Sequence, residues 1–126
     1  MEKELVLVDT NIIIEVLRNN DDIIEKIKAI GIEKIAVSSV TKMELYYGAL
    51  NKADLRRIKK YLQAFEVIHI NNDISELAIE LIEKYAKSHN LNLPDALIAS
   101  SAITEDLKLL TLNLKDFRYI DGLELY

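Results

Sequence analysis

The chain has 126 residues, half of them hydrophobic, with sixteen Lys and Arg against twenty-one Asp and Glu for a net charge of −5. That length suits one domain with a full core and is short for two, and no apolar stretch approaches the ~20 residues a membrane span needs. There is no cysteine, which excludes disulfides, thiolate catalysis and cysteine zinc sites, and with His69 and His89 the only histidines a histidine-rich metal site is not expected.

The opening, MEKELVLVDTN, lacks the basic segment and cleavage site of an export signal, so a cytoplasmic protein is expected. Leu5 to Val8 reads as a first strand buried on both faces, with Asp9, Thr10 and Asn11 directly after it. Asn11 to Arg18 reads as a short helix. Asp21 to Gly31 reads as another, with Ile23, Ile24, Ile27 and Ile30 on one side and Gly31 to stop it. Ile35 to Ser38 is the second strand, with Ser38 and Ser39 at its exit. Helices follow over about Val40 to Gly48 and Lys52 to Ala64. The second includes LRRIKKYL (Leu55 to Leu62), whose four basic residues suit either a solvated face or a phosphate-contacting surface. The acidic net charge opposes nucleic-acid binding overall but says little about local patches.

Glu66 to Ile70 alternates as a third strand, which puts His69 on a sheet face with Val67. Asp73 to Ser88 is a long helix presenting Ile74, Leu77, Ala78, Leu81 and Tyr85 at helical spacing, with His89 at its C-terminus. Pro94 opens a helix running to about Glu105, since proline suits the first helical position. Leu109 to Leu112 is a fourth strand, and Leu123 to Tyr126 a short fifth at the edge. Strands alternating with helices predict an α/β fold of three layers, α/β/α, around a central, mostly parallel sheet of four to five strands, as one domain over 1–126. Ligands in such sheets bind beyond the carboxyl ends of the strands. Asp9, Ser38 and Thr111 to Asn113 all fall at that edge.

Three isolated carboxylates stand out: Asp9 in LVLVDTN, Glu44 in SSVTKMELYYG and Asp95 in LNLPDALIAS. Each has a purely structural reading. Asp9 suits a helix N-cap. Thr41 and Glu44 form a T-x-x-E capping box. Asp95 suits the positive end of a helix dipole. Yet the helix after Asp95 is apolar enough to be buried, where a carboxylate needs a cation or hydrogen bonds. Carboxylates far apart in sequence but gathered at strand exits suit one divalent-cation site, because hard cations take oxygen ligands and substrate phosphates. Phosphodiester chemistry is the expectation. Tyr46 and Tyr47 read as packing residues rather than base-stacking ones.

Taken together, VDTNIII, SSVTKMELYYG, LPDALIAS and LLTLNLKDF resemble the PIN-domain family, and particularly the VapC-like toxins of toxin–antitoxin pairs. The resemblance covers nearly the whole chain. It implies a metal-dependent ribonuclease in which Asp9, Glu44 and Asp95 match the family's acidic positions, and Thr10, Asn11 and Thr111 the polar residues that orient them. Many members carry a fourth acid where this chain reads TLNLKDF. Asn113 stands at the equivalent position and carries no charge, and Asp116, three residues on, is a candidate substitute, so the sequence leaves open which of the two fills the fourth position. The implied chemistry has Asp9 and Asp95 holding Mg²⁺ or Mn²⁺ directly, and Glu44 joining the metal site through a bound water or helping to deprotonate it. A homodimer and a cognate antitoxin are implied partners; the apolar residues near Leu45 to Leu50 suit core packing first, and either contact where they are exposed. Two rivals remain open on sequence: a catalytically silent interaction domain that keeps the acidic pocket for a basic partner segment, and a phosphoacceptor receiver domain. The second lacks an Asp after the third strand, where this chain reads EVIHINN.

Overall fold

The computed structural model describes residues 4–126, so the first three residues of the expected 1–126 domain lie outside the described range. Four strands form one sheet: β1 (Val6–Val8), β2 (Ile35–Ser38), β3 (Glu66–Ile68) and β4 (Lys108–Leu110), in the order β3-β2-β1-β4. Every pairing is parallel, with Val6 opposite both Ile35 and Lys108. Six helices connect them: α1 (Thr10–Leu17), α2 (Asp21–Ile30), α3 (Ser39–Tyr47), α4 (Lys52–Leu62), α5 (Asn72–His89) and α6 (Leu93–Thr104). The three-layer α/β/α expectation therefore holds, with four strands.

The period of two along each strand divides the core. Val6, Val8, Ile35, Val37 and Leu110 face a cluster with Ile12 and Ile13 of α1, Ile23 and Ile27 of α2, and Ile58 and Leu62 of α4. Leu7, Ala36 and Leu109 face the other way, onto Ala78, Leu81 and Tyr85 of α5 and Ile98, Ala99 and Ala102 of α6. Strands covered on both sides must be apolar throughout, which is why LVLV and IAV carry no polar alternation. Gly31 at φ 103° ends α2 in a backbone region that a side chain would strain. Among the described residues no helix is long and apolar enough to cross a membrane.

Several expected boundaries shift, those of β3 and β4 because a partner strand ends. β3 pairs only with β2, whose last residue, Ser38, lies opposite Ile68. His69 is therefore past the strand and exposed, not on a sheet face. β4 stops at Leu110 because its partner β1 ends at Val8, and Leu112 is exposed instead of paired. The expected fifth strand reduces to a single parallel bridge, Leu109 to Leu125. α6 begins at Leu93 with Asn92 as its cap, so Pro94 sits one residue later than expected. Its missing N–H still falls among the unpaired first-turn groups. Tyr46 packs on the core as expected, but Tyr47 is 95% exposed. In α4, Ile58 and Leu62 face inward, and Arg57 is committed to Asp54 and the Leu17 carbonyl.

Candidate metal centre

The chain runs β1, β2, β3 in one direction across the sheet, then crosses through α5 and α6 to place β4 on the other side of β1. Loops leaving β1 and β4 therefore diverge at their carboxyl ends, leaving the crevice where open α/β sheets bind ligands. Asp9 and Thr111 stand on either side of it. Asp9 is only 5% exposed and caps α1, its Oδ1 accepting the Thr10 N–H at 2.8 Å. Its Oδ2 accepts the Thr111 hydroxyl at 2.7 Å. The Asn11 side-chain oxygen accepts the Leu112 N–H, tying the two loops together a second time. The capping reading of Asp9 is thus correct and incomplete, because each carboxylate oxygen keeps acceptor capacity after accepting one hydrogen bond.

The capping box is overturned. Ser38 caps α3 through the Val40 N–H, leaving Thr41 and Glu44 inside the helix as its third and sixth residues. The Thr41 hydroxyl, fully buried, lies 2.9 Å from that of Thr10, and Thr10 donates to Glu44 Oε1 at 2.8 Å. Thr10 has one hydroxyl proton, so Thr41 must be the donor between the threonines. A relay from the buried Thr41 through Thr10 thereby aims Glu44, itself exposed, toward the Asp9 side. The mistaken box had a detectable alternative, since Ser38 directly follows the apolar IAV and comes first as a cap.

Asp95 is the third residue of α6, its N–H donated to Asn92 Oδ1 at 2.9 Å. Burial, then the charges of Asp9, Asp116 and Glu44, push its carboxyl up to about 6. Asp9 is raised as well, chiefly by burial, against the lowering effect of Thr111 and Thr10 and with Glu44 and Asp116 adding to the rise. The four acids thus lie within electrostatic reach of one another. Asp116 ends a short 3-10 helix, Leu114–Asp116. Asn113 uses its backbone N–H to hold the Thr111 hydroxyl; Asn113 and Asp116 are both exposed, and of the two only Asp116 bears a charge, one that helps to raise Asp9 and Asp95. Tyr119 was not legible as part of this region, lying in a stretch without periodicity; burial, then Asp95 and Asp116, raise its phenol.

None of the four acids is ion-paired to a Lys or Arg among the described residues, where the pairs are Arg18–Glu15, Lys28–Glu25, Arg57–Asp54 and Lys84–Asp121. Nor do three acidic or histidine side chains close into a ready-made cage there. Mg²⁺ does not need one, because it keeps several waters and binds through one or two carboxylates. A buried carboxylate on a rigid strand exit, uncompensated acids around it and no soft ligands fit a hard divalent cation. Replacing Asn92 with Ala is expected to cost about 1 kcal/mol, the usual worth of a helix cap, read from the urea midpoint. It should also loosen the turn that carries Asp95, read as weaker Mn²⁺ binding by calorimetry.

The family profile described as PIN domain matches residues 6–123. The chain is 34% identical over 91 residues to Ribonuclease VapC10 of Mycobacterium tuberculosis, covering 71% of this chain and 68% of that protein. It is 33% identical over 96 residues to Ribonuclease VapC1 of Rickettsia felis, covering 70% and 72% respectively. A solved toxin–antitoxin complex from Klebsiella pneumoniae contains a chain that superposes with TM-score 0.80 at 33% identity, over 94% of each chain. VapBC2 from Rickettsia felis, bound to a DNA fragment from its promoter, superposes with TM-score 0.85 at 25% identity over 97% of each.

Proposed function

The chain belongs to the PIN-domain family, and from that premise we propose that it is a metal-dependent endoribonuclease acting as the toxin of a toxin–antitoxin pair. The observation that supports this most is the convergence of Asp9, Glu44, Asp95 and Asp116 at the carboxyl edge of the sheet without a compensating cation. Asp9 and Asp95 are the residues to hold Mg²⁺ or Mn²⁺. Bound there, the ion supplies an acidified water and offsets charge on the phosphate under attack. Thr111 and the Thr10 N–H keep the Asp9 carboxylate oriented toward the crevice. Glu44, which accepts the Thr10 hydroxyl, would take a proton from the attacking water, and Asp116 would add to the negative field that draws the cation in. Asn11 and Asn113 join the two loops without bearing charge.

An antitoxin partner follows from the complexes among the structural neighbours, and a homodimer is part of the same reading. Met43, Tyr47 and Leu50, at 61%, 95% and 87% exposed, offer apolar surface for such contacts, whereas Leu45 belongs to the core. The test is cleavage of single-stranded and structured RNAs by purified protein in Mn²⁺, Mg²⁺ and EDTA, beside an identically purified Asp9→Asn variant. Cleavage is expected only with metal and only from the unsubstituted chain. Equal cleavage by the variant, or cleavage in EDTA, sinks the assignment. Silence from folded, Mn²⁺-bound protein against a broad RNA set would return the interaction-domain reading.

A further inference from the structure

Beside the acids lies an aromatic stack that the metal chemistry does not use. The rings of His89 and Tyr119 lie 4.1 Å apart and 15° from parallel. Tyr85 meets both edge-on, at 5.7 Å from His89 and 5.1 Å from Tyr119, and is itself buried. The stack is therefore founded on the core and emerges at the surface. The tyrosine hydroxyl of Tyr85 accepts the Asp121 N–H, which anchors the C-terminal segment to α5. His89 is exposed and its Nδ1 lies 2.8 Å from Ser88 Oγ, a contact that fixes the ring's plane. Tyr119 stacks on one face of His89, and His89 remains exposed to solvent.

The stack adjoins the candidate centre from two directions. His89 ends α5 six residues before Asp95, with only a short turn between α5 and α6. Tyr119 follows Asp116 by three residues and feels the charges of both Asp95 and Asp116. Two exposed basic residues lie close to it in sequence, Lys87 in the last turn of α5 and Arg118 next to Tyr119, neither ion-paired among the described residues. A rigid ring platform with free cations is the combination that holds single-stranded nucleic acid, since every base has a face to stack and every nucleotide a phosphate.

We propose that the His89–Tyr119 pair is a nucleobase subsite, on which an unpaired base of the RNA stacks while the adjoining phosphate enters the acidic centre. This rests on the ribonuclease reading and names the form of its substrate: a strand with at least one unstacked base near the cut. A duplex, whose bases are mutually stacked, is a poor occupant. His89 is a positioning residue here, touching the substrate away from the reacting atoms, so its loss falls on binding.

The experiment uses the full chain and short single-stranded RNAs carrying 2-aminopurine at successive positions around the cleavage site. Binding to the unsubstituted protein should quench the probe at one position near the cut. His89→Ala should remove that quench and raise KM about tenfold, the usual scale of one base–aromatic stack, with kcat within about twofold. His89→Phe, which keeps a ring but no ring nitrogen, should restore both, as a merely structural role for the Ser88 contact would not. Cleavage with unchanged KM and quench in His89→Ala overturns the subsite and leaves the nuclease standing. No cleavage and no quench from the unsubstituted protein in Mn²⁺ overturns both.

Discussion

Asp95→Asn is expected to lower metal-dependent RNA cleavage at least about a thousandfold, because a divalent ion contributes several kcal/mol to such a transition state. The same substitution should make the metal-free protein more stable, a combination that loss of folding cannot produce. The cause is the placement of Asp95. Burial and the charges of Asp9, Asp116 and Glu44 push its pKa from 3.8 to about 6. Between those two values the folded protein binds more protons than the unfolded chain, so this group makes stability fall as pH rises through that window. Above about 6 the penalty is fully present, and below about 4 it is gone. Solvent screening of a half-exposed group cuts the ~3 kcal/mol that such a shift would carry in the interior to roughly 1 kcal/mol. Urea titrations of the metal-free protein from pH 4 to 8 should show a declining midpoint in the unsubstituted chain and a flatter one in Asp95→Asn. Mn²⁺ should reverse the penalty at neutral pH and lose affinity below about 6, where protons compete for Asp95. A variant that cleaves like the original, or that is less stable without metal, contradicts this account of Asp95.

Phe117→Ala is expected to cost about 3–5 kcal/mol, a large share of the ~5–15 kcal/mol that holds a domain of this kind together. Phe117 is 1% exposed and among the largest fully buried side chains, packed in the cluster of Leu7, Leu109 and Ile98. It directly follows Asp116, so its ring pins the short 3-10 helix that brings the fourth acid to the crevice. Denaturant unfolding should show the loss in midpoint, and residual folded protein should bind Mn²⁺ more weakly. Phe117→Leu, which refills most of the space, should recover most of the stability and the metal affinity. If Phe117→Ala left metal binding intact at full folding, Asp116 would owe its position to something other than this anchor.

Much of the fold was legible because its strands are short, apolar and separated by clear helical periodicity. LVLV, IAV and the Ile74–Tyr85 face could be assigned from residue pattern alone, and they occupy the layers expected of them. Where expectation failed, a neighbour decided. His69 reads as sheet because EVIHI alternates, yet the edge strand stops where β2 stops. Leu123 to Tyr126 reads as strand, but only Leu125 bridges to Leu109. Thr41 and Glu44 match a capping box, while Ser38 takes the cap and frees Thr41 to hold Thr10.

Asp9 and Asp95 could be chosen from sequence because each is an acid placed where an apolar element begins or ends, a position that costs energy unless something uses it, and Glu44, exposed and inside α3, through its motif SSVTKMELYYG. Their order along the chain, and with it membership of the PIN-domain family, lay in the sequence itself. Which polar atom supports which was decided only in three dimensions. Thr111 reaches Asp9 across 102 positions and Thr10 reaches Glu44 across 34, contacts that exist because β4 is inserted beside β1 and α3 packs against α1. The raised pKa of Asp95, to which the charge of Asp116 contributes, and the stack of His89 on Tyr119 have the same origin. Periodicity and residue type act locally and can be read along the chain. Hydrogen bonds and charge coupling depend on distances between segments, and those are set by how the sheet is crossed and its two faces are packed.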